Sequence, residues 1–268
     1  MDNLVKVLDK GFVRLEEFAG GDNAVVRAAR VSYGPRPPDE VKDKKLIRYM
    51  LEHEHGTPFE KSMFEFHVKA PIFVFRQWHR TRIGVSYNEK SARYSEMGVN
   101  EQEEDAFYIP TLWRAPEKGP GANKQGSVAA ELDHVRMTRI LETSCRNAMS
   151  DYRMLLELGA AKEMARMVLP VDLFSEMYVT FNARSLMFFI ALRSDTHAQA
   201  ETRLYSHAMA LFLRDKMPWT WDAFADELEE REARRKCPKN YSELWAYIEA
   251  ADQLAEDLGG AAAAGIVA

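Results

Sequence analysis

The chain has 268 residues, 46% of them hydrophobic and 29% charged, with a formal net charge of −5. That content supports a sizeable core and excludes disorder by composition, and the acidic balance argues against duplex-DNA binding, so any anion site has to be a local basic cluster. The two cysteines, Cys145 and Cys237, lie far apart and outside any zinc or C-x-x-C spacing, which excludes a disulfide framework and a structural zinc site and suits a reducing cytoplasm.

The first ten residues lack the apolar core of a signal peptide,. Two short strands are predicted there, Leu4 to Leu8 and Gly11 to Glu16, turning at Asp9-Lys10-Gly11. Asp22 is placed to cap a helix through Arg30, and Pro35, Pro37 and Pro38 break the chain before a second helix from about Asp39 to His53,. Phe64, Phe66 and Val68 alternate with Glu65, His67 and Lys69, the pattern of a half-buried strand. Pro71 suits the first turn of the next helix. Its apolar start, Ile72 to Phe75, is too short to span a membrane and runs into arginines,. Met97 to Ala106 and Pro116 to Gly126 read as solvated loops. Helical spacing of Leu132, Leu141, Cys145, Met149, Tyr152 and Leu156 predicts a long helix from Ser127 to Leu158,. A strand at Met177 to Phe181 precedes helices at Arg184 to Leu192, Ala198 to Lys216, Trp219 to about Lys236 and Tyr241 to Leu258. Strands and helices do not alternate regularly, which favours α+β over a doubly wound α/β fold.

The chemistry concentrates in Arg76 to Tyr94, where Arg76, Arg80, Arg82, Lys90 and Arg93 face one acid, Glu89. Such density is repulsive unless an anion neutralises it, and guanidinium forks suit phosphate. Trp78, Tyr87 and Tyr94 are candidates to stack on a flat heterocycle; Ser86, Asn88 and Ser91 add neutral hydrogen-bonding groups,. A solvated, ion-paired arginine segment explains the composition equally well. A second cluster runs from Asn182 to Gln199: Arg184 and Arg193 bracket an apolar run, and Asn182 and Arg184 sit at a strand-to-helix junction that favours an anion,. His53 and His55 are a weak metal signal without a third ligand,. Arg166, before Pro170, reads in isolation as a helix-terminal charge,. No G-x-G-x-x-G or P-loop motif occurs, which disfavours a Rossmann or P-loop cofactor site. An arginine-aromatic surface for single-stranded RNA is the rival from another class, and the acidic net charge opposes it.

Trp78 to Tyr94, W-H-R-T-R-I-G-V-S-Y-N-E-K-S-A-R-Y, resembles the signature of the flavin-dependent thymidylate synthases: an arginine triplet, here Arg80-Thr81-Arg82, then a serine, here Ser91. H-G-T-P-F-E, A-R-M-V-L-P, N-A-R-S-L-M and L-R-S-D-T-H-A-Q are also similar to the family and keep its order. Thr81 stands where the family usually has histidine, and Phe188 where a member can carry asparagine near the adenine. The resemblance implies an α+β fold with a mixed sheet and long helices, assembled as a homotetramer. It implies a catalytic domain over 1–225 and a helical extension with an Ala/Gly tail over 226–268. It implies reductive methylation of dUMP to dTMP, with FAD as cofactor, NADPH as reductant and 5,10-methylenetetrahydrofolate as carbon donor, and neither nucleic acid, membrane nor metal. By the same resemblance, Thr57, Glu60, Arg80, Thr81, Arg82, Glu89, Asn182, Arg184 and Phe188 frame the flavin, with His55 and His197 lining the flavin or folate region. Gln77, Trp78, His79, Arg80, Glu89, Lys90, Ser91, Ala92 (by its backbone), Arg93, Arg166 and Arg193 hold deoxyuridylate. Arg193 is the candidate catalytic group, a cation facing the uracil.

Overall fold

A computed structural model describes residues 3–98, 107–120 and 122–235. Its frame is a five-stranded sheet in the order β1-β2-β3-β7-β4, built from β1 (Leu4–Val7), β2 (Gly11–Ala19), β3 (Met63–Pro71), β7 (Phe174–Asn182) and β4 (Val85–Glu89). Every pairing is antiparallel. The expectation of a mixed sheet is thereby corrected: β7 inserts between β3 and β4, so those two parallel strands never pair.

The alternation read in β3 holds. Phe64, Phe66 and Val68 are fully buried, joined by Val13 and Leu15 from β2 and Val179 and Phe181 from β7. Over this face lie α6 (Ala183–Arg193) and α7 (Ala200–Lys216), which contribute Ile190, Tyr205, Met209 and Phe212 to the same core. Gly11 is required at the β1–β2 turn because a Cβ there would strike the Tyr205 hydroxyl, which donates to the Lys69 carbonyl at 2.8 Å. The opposite face is polar: His67 stacks on Tyr178 and bonds Arg14 and Glu176, each at 2.8 Å.

Around the sheet lie α1 (Asp22–Ala29), α2 (Glu40–Glu52), a 3-10 turn (Thr57–Lys61), α3 (Ile72–Trp78), α4 (His134–Glu157), α5 (Lys162–Ala165), a second 3-10 turn (Arg166–Val168) and α8 (Pro218–Arg235). Asp39 caps α2 by accepting from the Lys42 N–H, and Asp133 caps α4 by accepting from Arg136. Asp22 does not cap its own helix; the N-cap of α1 is Gly21. The Asp22 carboxylate instead accepts from the Trp219 and Thr220 N–H groups and the Thr220 hydroxyl at 2.9, 3.0 and 2.6 Å, fastening the start of α8. Helix α8 runs on past residue 225, with Leu228 buried and Asp226 paired to Arg48.

The long helix starts at His134, not at residue 127. Ser127–Ala129 is strand β6, paired with β5 (Arg114–Pro116) in a hairpin inside the region read as loop and helix. A second core joins α4 to the segment before β7 through Cys145, Met149, Tyr152, Phe107 and Leu173. There the Cys145 thiol donates to Asp172 at 2.9 Å. The helix expected at Tyr241 to Leu258, and most of the acidic stretch after Gly98, fall outside the described residues. No helix among the described residues is long and apolar enough to cross a membrane.

Candidate active site

The basic segment folds as helix, turn and edge strand. Helix α3 carries Arg76 and Gln77; the turn carries Arg80, Thr81 and Arg82; Glu89 ends β4. The segment after the turn is strand β4, because β7 supplies its partners from Val85↔Phe181 to Glu89↔Met177. Tyr87 braces the turn: its hydroxyl shares its proton between the carbonyls of Trp78 at 2.8 Å and Thr81 at 2.7 Å. Burial pushes this phenol well above its ordinary range, against a weaker opposing pull from Arg193, so the hydroxyl stays protonated as a donor.

The far side of the turn is clasped to α6. Asn182 donates its N–H to the Gly84 carbonyl at 3.1 Å, and the Ser185 hydroxyl donates to Ile83 O at 2.7 Å. Gly84 has φ +67°, and a Cβ there would collide with the Asn182 and Ser185 side chains, so glycine is required. The Asn182 side chain caps α6 by accepting from Ser185 N at 2.8 Å. Two residues after Asn182, Arg184 pairs with Glu60 at 2.7 Å and covers Gly56, where a Cβ would strike the guanidinium.

Among the described residues, three of the cavities lie against these groups. The first, about 580 Å³, is lined by Arg76, Glu89, Lys90, Ser91, Ala92 and Arg166, with the Leu169–Pro170 segment as an apolar wall. The second, about 460 Å³, is lined by Arg76, Gln77, Arg80, Arg193 and His197, with Arg114, Gln125 and Ser127 from the β5–β6 hairpin. Arg76 lines both. The third, about 280 Å³, is a groove between α2, α6 and α8, with Gly56, Phe59, Met187, Phe188 and Arg184 in its walls. Among the described residues, Arg76, Arg80, Arg166 and Arg193 have no carboxylate within ion-pair distance. Four guanidinium groups without carboxylate partners among the described residues thus surround two adjoining cavities, an arrangement whose mutual repulsion a bound anion would relieve,.

Arg193 ends α6 half-buried and donates to the Gln77 carbonyl at 2.6 Å; its buried Nε has no partner. Burial lowers its pKa; Tyr87 opposes this and Arg80 adds to it. His79 lies 3.7 Å from Glu89 and meets the Tyr87 ring edge-on. Arg93 pairs with Glu163 at 3.2 Å, and its N–H donates to Ser91 Oγ at 3.3 Å. His197 bonds the Asp195 carboxylate at 2.5 Å. His55 stands beside Tyr49 on the exposed end of α2, and Thr57 opens the 3-10 turn that carries Glu60. No group of three potential metal ligands occurs among the described residues.

Trp78 departs from the sequence reading. Its indole is 0% exposed and packs edge-on against Phe75, Phe189 and Tyr205; it supports α3 from the core and cannot stack on a ligand. Thr81 also faces inward, 5% exposed, with its hydroxyl unpartnered. Arg114, Gln125 and Ser127 escaped the sequence reading, since no motif marks them and the hairpin that carries them was not recognised, Gln125 falling in an expected loop and Ser127 at the expected start of the long helix.

The family model described as "Thymidylate synthase complementing protein" matches residues 14–219. A "Flavin-dependent thymidylate synthase" of Thermosipho africanus is 48% identical over 221 residues, 82% of this chain and 92% of the relative. One from Thermus thermophilus is 44% identical over 226 residues, 84% of this chain and 80% of the relative. The crystal structure of the UMP/dUMP methylase PolB from Streptomyces cacaoi, bound with 5-Br UMP, superposes with a TM-score of 0.72 at 35% identity, covering 83% of this chain and 96% of that one. On this breadth of similarity, the chain belongs to the family of the flavin-dependent thymidylate synthases.

Proposed function

We propose that this chain methylates deoxyuridylate reductively to thymidylate. The observation that carries the reading is the pair of cation-lined cavities joined at Arg76, one with hydroxyl and backbone groups and the other with a half-buried arginine. In the first, Arg166, Arg76 and Lys90 neutralise a phosphate. The Ser91 hydroxyl, whose oxygen already accepts from Arg93 N, keeps its proton to donate. Arg93 exchanges Glu163 for the same anion. In the second, the Arg193 cation faces the pyrimidine with Gln77, and stabilises negative charge as it grows on the ring nitrogen and carbonyl oxygen. Desolvation strengthens that interaction, and the Gln77 carbonyl holds the guanidinium in place beforehand,.

The third groove fits a flavin nucleotide: exposed Phe188 offers a ring face, Arg184 a phosphate partner, and Gly56 leaves the space that the guanidinium fills. Arg184, Asn182, Thr57, Glu60 and Phe188, with Arg80, Arg82, Glu89 and the backbone at Thr81, would hold it; His55, next to Gly56 in the chain, and His197, in the second cavity, would line the flavin or folate region. When bound, the flavin supplies reducing equivalents drawn from NADPH, and 5,10-methylenetetrahydrofolate supplies the carbon. Residues 1–225 form the catalytic unit, to which α8 joins the extension 226–268. Val135, Ile140, Met154, Leu158, Met164 and Met167 are exposed along α4, α5 and the following turn, an apolar band that supports a homotetramer with sites completed across subunits.

The test is NADPH oxidation by the FAD-supplemented protein with and without deoxyuridylate, followed by thymidylate assay after addition of methylenetetrahydrofolate. Formation of thymidylate that depends on all four components is the expected result. A protein that binds deoxyuridylate but forms none overturns the reading.

A further inference from the structure

The wall of the second cavity opposite Arg193 is built by the β5–β6 hairpin, and it is tied down more firmly than a surface hairpin requires. At its base, Trp113 donates through its indole N–H to Thr138 at 3.0 Å and through its backbone to His134 at 3.2 Å, both on α4. On its inner side, Arg114 Nη2 lies 2.8 and 2.9 Å from the two carboxylate oxygens of Glu201, in the first turn of α7. Arg114 Nε donates to Ser127 Oγ across the hairpin at 2.9 Å, and the Tyr108 hydroxyl donates to Glu201 at 3.2 Å. Glu201 is 4% exposed. Burial alone would raise its pKa, but the hydrogen bonds led by Arg114 outweigh this and leave it below the ordinary carboxylate range.

The pair is therefore ionised, and its geometry fixes the guanidinium. With Nε spent on Ser127 and Nη2 on Glu201, the Nη1 donors remain available to the cavity that Arg114 lines. Arg76, Arg80 and Arg193 stand in the same cavity without carboxylate partners among the described residues. One buried acid cannot balance four guanidinium groups, so the cavity keeps a positive excess on the side away from the Lys90–Ser91–Arg166 cavity. Gln125 and Ser127 add neutral groups to this wall.

We propose that Arg114, held by Glu201, is a further binding residue and takes the anionic end of a cosubstrate, a carboxylate or phosphate group. The assignment deepens, and rests on, the reading of this cavity as the thymidylate-forming site. Two sources share that chemistry: the glutamyl carboxylates of the folate and the 2′-phosphate of the reduced nicotinamide dinucleotide.

Removing Arg114 alone would strand a buried carboxylate and endanger folding. The informative variants are Arg114→Gln/Glu201→Gln together, which remove both charges but keep a hydrogen-bonded link, and Arg114→Lys, which keeps the charge. With flavin-loaded protein, Kd is measured by calorimetry for methylenetetrahydrofolate with one and with five glutamates, for NADPH and NADH, and for deoxyuridylate. The double variant should weaken one cosubstrate about tenfold, the scale of a charge-assisted contact, with deoxyuridylate affinity and flavin content unchanged. Arg114→Lys should recover most of the loss. If the folate is the source, preference for the longer glutamyl chain disappears; if the dinucleotide is, preference for NADPH over NADH disappears. Cosubstrate affinities all at wild-type values, or all lowered together with flavin content, overturn the proposal. A wild-type protein that shows the affinity differences yet makes no thymidylate overturns the functional reading and leaves the anion assignment standing.

Discussion

Replacing Arg193 by alanine separates a catalytic cation from a structural one. The structure sets both magnitudes. The side chain gives the fold one hydrogen bond, to the Gln77 carbonyl at 2.6 Å, worth about 1 kcal/mol. Against this stands the cost of half-burying a guanidinium whose Nε has no partner and whose pKa burial lowers. The two nearly cancel, so the melting temperature should move by less than about 4 °C for a chain of this size. In the reaction the same cation opposes charge growing on the pyrimidine, and loss of one such preorganised donor lowers turnover about 10² to 10³-fold. The assay is thymidylate formation at saturating cosubstrates, with a thermal melt and deoxyuridylate binding on the same preparation. Turnover within about threefold of wild type would show that Arg193 does not act on the transition state. A collapse in melting temperature would show that its role is structural.

Asp22→Ala should destabilise the protein by about 2 kcal/mol, measured by denaturant unfolding, because it strips three hydrogen bonds from the start of α8,; an unchanged midpoint would refute that capping role. Thr81→Val should leave stability equal or higher, since the buried hydroxyl has no partner to lose,; a clear loss of flavin content would mean that the hydroxyl serves the cofactor. Burial, aided by Arg203, holds the His207 imidazole at about 4 against an ordinary 6.5. Its folded pKa lies below its unfolded one, so its contribution is complete above about pH 6.5 and fades as the pH falls toward 4, amounting to about 3 kcal/mol. In His207→Phe the stability–pH curve should be flatter over that interval, and an unchanged slope would refute the assignment. Trp78→Ala should cost about 3 to 5 kcal/mol of stability, while Trp78→Phe retains deoxyuridylate affinity; selective loss of that affinity would restore Trp78 to the binding surface.

What the sequence alone determined was local. The alternation of Phe64, Phe66 and Val68 predicts β3 and its buried face, Asp39 marks the start of α2, and the arginine run on an acidic chain marks where basic charge is concentrated. These signals depend on neighbours a few residues away, or on composition. Tertiary structure decided the rest. Val85–Glu89 becomes a strand only because β7, some ninety residues later, offers an edge. Trp78 turns inward because Phe189 and Tyr205 close around it. Asp22 serves α8 rather than its own helix because folding brings Trp219 and Thr220 to it. Arg76 comes to join Ser91 and Arg166 on one side to Gln77 and Arg193 on the other, with Arg114 facing them, because the sheet order and the hairpin carry distant segments together. Periodicity shows that a residue has a buried side or an exposed one; which residues meet there depends on long-range packing, whose partners lie beyond any local window of sequence.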